Sequence, residues 1–280
     1  MSDTIKQEQI LTNAAVKKFR GIVYRYFKKY GRDLPWRATQ NPYYILVSEI
    51  MLQQTQVQKV LEKYKWFIYT FPDIFSLARA TLQEVLNEWQ GLGYNRRAIA
   101  LKQIARRVVD EFHGTIPSSA ETLRTFPGIG NATASAIAAF AFQKPEVFIE
   151  TNIRRVFIHC FFQDKDDIKD IEILPFVART LDTANPRAWY YALMDYGVLL
   201  KSDHENPNRR SAHYQKQAPF QGSNRQIRGM ILKVITQESY LSEHEIIQRL
   251  QVCPEKLRNN LSRLEREGFL KKKKRKFTIA

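Results

Sequence analysis

Two stretches of this 280-residue chain carry side chains that could do chemistry. The first is Ser48-Glu49-Ile50-Met51-Leu52-Gln53-Gln54-Thr55-Gln56-Val57, where one carboxylate sits among apolar neighbours just before an unusually polar string. Asn41-Pro42 reads as a helix start, so Glu49 lies within an apolar helix beside Val47, Ile50 and Met51. Desolvation there is expected to raise its pKa and leave it a usable acid near neutral pH. The plainer alternative is a glutamate on a helix surface. The second stretch runs from Phe126 to Asn152. It opens Phe126-Pro127-Gly128-Ile129-Gly130-Asn131, continues in small residues to Phe142, and closes on Phe148-Ile149-Glu150-Thr151-Asn152. Two glycines allow a tight turn, and the helix that follows begins with unpaired N–H groups that suit a phosphate. An ordinary glycine-capped turn is the competing reading.

The elements that must position these residues are helical. Apolar residues recur at helical spacing over 5–30 (Ile5, Ile10, Leu11, Val16, Phe19, Ile22, Val23, Tyr26, Phe27), and Gly31 to Arg37 breaks the pattern as a loop. Further helices are predicted over 57–70, 76–80, 82–89, 96–111, 118–125, 152–162, 171–182 and 186–200. Gly91-Leu92-Gly93-Tyr94 forms a loop between two of them. No alternating strand pattern precedes residue 200, so residues 1–200 are expected to be a mostly α domain. Residues 201–223 are polar and irregular, a linker or basic arm. A separate pattern begins at 224, with helices over 225–237, 242–250 and 254–267 leading into a basic hairpin through Lys271–Lys276 and Phe277-Thr278-Ile279. Three short helices and such a hairpin resemble a winged-helix module. The lysine run reads either as its wing or as a solvated tail.

Lys and Arg number 44 against 28 Asp and Glu, a formal charge of +16, and residues 201–280 alone hold 18 against 8. That imbalance favours a polyanionic partner, nucleic acid before an acidic membrane surface. The apolar fraction of 44% is that of a folded protein rather than a basic tail. No apolar run approaches 18 residues and no signal-peptide core is present, so a soluble intracellular protein is expected. Cys160 and Cys253 are too few and too far apart for a disulfide framework or a cysteine-rich metal site.

Several motifs then agree in order and spacing: Arg32-Asp33-Leu34-Pro35-Trp36-Arg37, the Ser48 to Val57 string, Gly91-Leu92-Gly93-Tyr94, Pro127-Gly128-Ile129-Gly130 and Asn152-Ile153-Arg154-Arg155-Val156. Over about residues 15–200 the chain resembles the helix-hairpin-helix DNA glycosylases, and within them the adenine-excising mismatch enzymes of the MutY type. The resemblance implies an all-α, two-lobed helix-hairpin-helix glycosylase domain, here followed by the small winged-helix-like domain.

What it implies for residues can be set beside the chemistry. Breaking an N-glycosidic bond builds positive charge on the sugar and negative charge on the departing base, which calls for an acid and a carboxylate. By resemblance Glu49 protonates a ring nitrogen of the flipped purine. Glu150 stands where the family has an aspartate that stabilises the sugar cation, and Asn152 matches its supporting asparagine. Ala132 replaces the lysine nucleophile of the bifunctional glycosylase/lyases, so no Schiff base can form there and a monofunctional hydrolase is expected. The adenine enzymes place serine or tyrosine at that site.

Extruding a base from a duplex leaves a hole to fill. Gln53, Gln54 and Tyr94 match residues that wedge into the stack, with Thr55 in the same string, while Arg32, Trp36 and Arg37 match the loop beside the flipped base. Gly128, Ile129, Gly130 and Asn131 are the expected phosphate contacts of the hairpin, and Arg209 and Arg210 those of the segment at 206–210. The family usually ends its catalytic domain with four cysteines holding an iron–sulfur cluster. Met194-Asp195-Tyr196-Gly197 matches the lead-in but the set of four cysteines does not follow, so no cluster and no other metal is expected; His204 and His213 read as surface histidines. The domain that reads 8-oxoguanine in the adenine enzymes is likewise not expected, the winged-helix-like module standing in its place.

The expected partner is double-stranded DNA with a mismatched or damaged base, bound by a monomer at the nucleoid in the cytoplasm or in a nucleus. Three readings stay open: a glycosylase with adenine as first candidate, a thymine, uracil or modified-pyrimidine glycosylase on the same fold, and a catalytically silent DNA-binding protein.

Overall fold

The computed structural model describes residues 11–203, 205–216 and 219–280. Ile5, Ile10 and His204 lie outside them. The chain divides into two compact units, each assembled from separated stretches.

The first unit comprises residues 11–45, Ser118–Arg124 and Gly130–Lys216. Its helices are α1 (Asn13–Tyr30), the first turn of α2 (Pro42–Leu52), and then, leaving α3–α6 to the other unit, α7 (Ala120–Arg124), α8 (Asn131–Phe142), α9 (Thr151–Phe161), α10 (Asp170–Thr180) and α11 (Pro186–Asp203). Two short 3-10 turns, Pro35–Arg37 and Pro207–Arg210, complete it. Thr12 caps α1 by accepting from the Ala15 amide at 3.2 Å, a bond that a threonine in extended backbone is suited to make. The core gathers where α9 and α1 pack on α11, around Phe19, Phe157 and Trp189. Phe19 meets Trp189 edge-on with ring centres 5.8 Å apart. Gly197 lets α11 come close to α9, because a Cβ there would stand 2.5 Å from the Asn152 carbonyl oxygen.

The second unit comprises Leu46–Pro117, Thr125–Ile129 and, among the described residues of its last stretch, 219–280. It holds the rest of α2, then α3 (Val57–Thr70), α4 (Ile74–Arg79), α5 (Leu82–Trp89) and α6 (Arg96–Phe112). Capping boxes start α4 (Asp73 with Ser76) and α5 (Thr81 with Glu84), each satisfying two backbone donors that a helix start leaves open. The C-terminal stretch supplies α12 (Asn224–Gln237), β1 (Leu241–Ser242), α13 (Glu243–Leu250), α14 (Pro254–Arg266), β2 (Leu270–Lys273) and β3 (Lys276–Ile279). α12 packs on both α14 and α5. Gln83 and Gln90 donate to the carbonyl and hydroxyl of Thr236, at 2.9 and 3.0 Å.

The expected fold class was all-α with a basic hairpin at the end; the chain is mostly helical, and that hairpin is joined by a third strand. β1, β3 and β2 form a small antiparallel sheet in that order, with Leu241 opposite Phe277 and Leu270 opposite Ile279. Phe277, Thr278 and Ile279 are buried while Lys271, Lys272 and Lys273 face water, so the apolar flanks hold the basic run in a folded hairpin. Lys274 and Arg275 make its two-residue turn, both at positive φ.

Candidate functional site

In the first unit the site is built on the N-terminus of α9. Glu150 stands just before the helix in extended backbone and caps it: Oε1 accepts from the amides of Asn152 (2.7 Å) and Ile153 (2.8 Å), and Oε2 from the Asn152 side-chain amide (3.2 Å). Burial pushes the carboxyl above the usual carboxylate range, and the two backbone amides, with Arg155 and Arg154, offset part of that. Behind it, buried Arg155 donates to Asn152 Oδ1 (2.7 Å), to the Gly197 carbonyl (2.7 Å) and to Asn206 Oδ1 (3.1 Å). The carboxylate is thus fixed by its own helix and, through Asn152 and Arg155, by α11 and the segment after it. Fixed negative charge of this kind can stabilise a cation forming beside it without reorganisation.

The loop 32–37 is held from within the same unit. Asp195, buried on α11, accepts from the Arg32 amide (2.9 Å) and side chain (2.6 Å) and in two-pronged fashion from Arg37 (2.7 and 2.8 Å). Burial works against its charge, but the contacts of Arg37 and Arg32 together outweigh it and hold the carboxyl below the usual range. The Arg37 guanidinium lies 4.5 Å over the Tyr191 ring, and Trp36 is only 3% exposed. Trp36, matched by resemblance to the loop beside the flipped base, thus packs its ring inside.

The segment after α11 does not fit an iron–sulfur cluster, which takes four thiolates. Residues 205–213 contain no cysteine, and no group of three or more metal-ligating side chains gathers among the described residues. Cys160 is half-buried, its thiol pushed up to about 12 by burial, and Cys253 is exposed. Organic contacts fill the place. Arg210 donates to the carbonyls of Phe162, Gln163 (2.7 Å) and Ile158 (3.3 Å) beyond and within the last turn of α9, Asn208 Nδ2 donates to the Thr151 carbonyl (2.8 Å), and Ile168 bridges Ser211 in parallel. Arg210, expected as a phosphate contact, therefore acts as an internal brace. Arg209 is exposed and pairs with Glu205, and His213 is exposed.

In the second unit Glu49 lies on α2, half-buried between buried Val47, Ser48, Ile50 and Met51. The chain leaves α2 through Gln53 and Gln54, the latter at φ 55°, and Tyr94 stands at φ 47° in the neighbouring loop. A residue that sequence reasoning missed ties these two loops together. Arg97, 7% exposed, donates to the carbonyls of Ile50 (2.9 Å), Met51 (2.7 Å), Gln53 (2.6 Å) and Gly93 (3.0 Å) and to the Thr55 hydroxyl (2.9 Å). Burial lowers its pKa to about 10, which leaves it charged at neutral pH. Gln53 Nε2 in turn donates to the Gly128 carbonyl at 3.1 Å. Gly128 is at φ +74°, where a Cβ would also crowd Ala100 at 3.1 Å, so the turn before Ile129 needs its glycine. Further along the chain, Gly130 precedes α8 with no side-chain cap, and Asn131 Oδ1 accepts from Arg124 at 3.4 Å.

With the geometry in place, three comparisons bear on it. Residues 47–174 match the model of the HhH-GPD superfamily base excision DNA repair protein. The adenine DNA glycosylase of Mycolicibacterium smegmatis is 35% identical over 222 residues, covering 73% of this chain and 75% of the relative. That of Buchnera aphidicola is 36% identical over 187 residues, 65% of this chain and 52% of its own length, so this chain spans about half of it. The thymine/uracil-DNA glycosylase of Pyrobaculum aerophilum is 34% identical over 146 residues, covering 51% and 64%. Among solved structures, a thermostable thymine-DNA glycosylase superposes with a TM-score of 0.62 over 70% of this chain and 91% of that one, at 24% identity. A trapped endonuclease III–DNA covalent intermediate gives 0.53 over 75% and 91%, at 18%. These structural likenesses concern the fold.

Proposed function

The chain belongs to the HhH-GPD superfamily of base excision DNA repair proteins, and on that premise we propose that it is a monofunctional DNA glycosylase. Its reaction is hydrolysis of the N-glycosidic bond of a base extruded from a duplex, adenine being the first candidate. The observation that carries the proposal is the fixed carboxylate of Glu150, aligned by three donors and backed by Arg155. Glu49 protonates a ring nitrogen of the base, the C1′–N bond breaks with its electron pair leaving on the base, and Glu150 stabilises the cationic sugar. Water then adds at C1′ and returns a proton to Glu49. Ala132 supplies no amine, so no covalent enzyme–sugar bond forms at that position.

Gln53, Gln54 and Tyr94 enter the stack where the base has left, on loops that Arg97 and Thr55 brace. The turn at Gly128 and Ile129 and the uncapped start of α8 at Gly130 and Asn131 receive backbone phosphates. Asp195 shapes the Arg32–Arg37 loop that borders the extruded base. In this reading residues 1–200 are the glycosylase domain, 201–223 an arm and 224–280 a winged-helix-like DNA-binding module. The protein works as a monomer, without a metal, wherever its DNA lies. No helix among the described residues is long and apolar enough to cross a membrane.

A second reading, excision of mismatched thymine or uracil, is favoured by the likeness to the Pyrobaculum enzyme. A panel of duplexes carrying A opposite 8-oxoguanine or G, and T or U opposite G, treated with alkali after a single turnover, separates the two. Strand breakage at adenine supports the first, breakage at T or U the second. Tight duplex binding with no breakage on any of them overturns both and leaves the silent binder.

A further inference from the structure

The second unit contains a cavity of about 600 Å³, the size of a nucleotide-scale site, and its charge is lopsided. Six arginines line it (Arg96, Arg97, Arg225, Arg228, Arg263 and Arg266) against the single carboxylate of Glu267. Glu267 is already committed, accepting from Arg96 at 2.7 Å and pairing with Arg228 as well. Among the described residues Arg263 and Arg266 have no carboxylate partner, and both are exposed on α14. Guanidinium groups gathered in one concavity repel one another unless an anion joins them. Gln53, Gln54 and Tyr94 line the same cavity. Arg225 of α12 donates to the Tyr94 hydroxyl at 2.7 Å and lies 5.6 Å over its ring, so the C-terminal helices reach the wedge residues directly.

We propose that this cavity binds the phosphodiester backbone of the strand facing the extruded nucleotide, with Arg263 and Arg266 as its phosphate contacts. The inference rests on the glycosylase reading for the placement of the wedge: residues that fill the gap left by one strand necessarily lie beside the other. Arg225 orients Tyr94 at the same place, and the Arg96–Glu267–Arg228 cluster fastens α6 to α12 and the end of α14. The C-terminal module is then a clamp for the intact strand rather than a distant tether. Guanidinium suits the task because its planar donors match two phosphate oxygens at once.

The test is a double-mutant cycle between protein and DNA on the full chain, read as equilibrium binding. The probe is a duplex with a tetrahydrofuran abasic analogue at the extruded position, which needs no turnover, so it can succeed or fail independently of the excision panel. A second duplex carries neutral methylphosphonates at the phosphates flanking the opposing nucleotide, and a third carries them on the abasic strand. The wild-type protein is expected to lose roughly tenfold or more in affinity on the second duplex. The Arg263→Ala/Arg266→Ala variant is expected to bind the unmodified duplex more weakly, with a salt slope lower by about 2, and to lose little further on the second. Both residues are exposed, and an unchanged circular dichroism spectrum and melt confirm that the variant folds. Equal losses for variant and wild type on the second duplex overturn the proposal, as does a loss that follows the methylphosphonates of the abasic strand instead.

Discussion

Arg97 donates to the carbonyl oxygen of Gln53 at 2.6 Å, and one guanidinium thereby fixes the chain at the point where it leaves the helix bearing Glu49. The same group holds Gly93 and Thr55, so the loops of Gln53–Thr55 and Gly91–Tyr94 share a single brace. Replacing it with alanine leaves several buried carbonyls without donors, at about 1–3 kcal/mol each. Arg97→Ala is expected to lower stability in urea unfolding by on the order of 3 kcal/mol and to weaken duplex binding. Arg97→Lys should recover only part, because an ammonium lacks the planar fork. Full recovery by lysine would mean that charge, not geometry, is what the site needs.

Glu150 lends itself to a test by pH. Its carboxyl titrates above the usual range in the fold, so the folded state holds the proton more tightly than the unfolded chain does. Any stability tied to this group is therefore present below the ordinary glutamate pKa and lost as pH rises through the folded value. The ionised form is the one that stabilises a sugar cation. Single-turnover rates should accordingly fall on the acid side with a midpoint above the ordinary glutamate value. Glu150→Gln, which keeps an oxygen for the two amides, should retain or gain stability at neutral pH while losing excision. A variant as fast as the parent would remove Glu150 from the reaction.

Glu267 behaves in the opposite sense. Pairing with Arg96 and Arg228 holds its carboxyl at about 2, so the stability it contributes is complete above the ordinary glutamate pKa and is lost as pH falls from there through the folded value. Arg96 is largely exposed, which keeps the contribution on the order of 1 kcal/mol. Glu267→Gln should lower the melting temperature at neutral pH and flatten its decline in acid. Parallel melting curves for the two proteins across that range would count against the pairing.

Gly197 is the close-approach point between α11 and α9. A methyl group there would meet the Asn152 carbonyl at 2.5 Å, well inside contact distance, and Asn152 donates twice to Glu150. Gly197→Ala should cut excision by on the order of 10²-fold, since displacements of about 1 Å carry that cost. Duplex affinity should stay near that of the parent, and an unimpaired rate would show that the helices can shift without consequence.

Much of the scaffold was legible in the sequence. The helices predicted over 57–70 and 82–89 form between those residues, because side-chain caps or polar punctuation mark their ends. Elsewhere boundaries move by one to three residues, the helix expected over 186–200 running on to Asp203; α9 starts at Thr151 because the Glu150 side chain, not the backbone pattern, sets its first turn. β1 could not be read, since two residues show no alternation and its pairing with β3 is a tertiary contact. Arg97 could have been found: with Leu101, Ile104 and Val108 it occupies one helical face, all buried, so a lone charge on an apolar stripe was the signal. Arg210 read as a contact for an outside phosphate, and Arg32 and Arg37 as part of the loop beside the flipped base, whereas within this chain Arg210 donates to a carbonyl and Arg32 and Arg37 donate to Asp195. Basic residue type alone does not distinguish an internal acceptor from a phosphate.

The measurement closest to the central claim compares Glu49→Gln with the parent on whichever duplex of the mismatch panel is cleaved. Binding to that duplex and single-turnover base release are followed in parallel. A group that donates a proton in the rate-limiting step is worth about 10²–10⁴-fold, so the account expects release to fall by at least 10² while affinity changes little. Base release by Glu49→Gln at the parent's rate would contradict it.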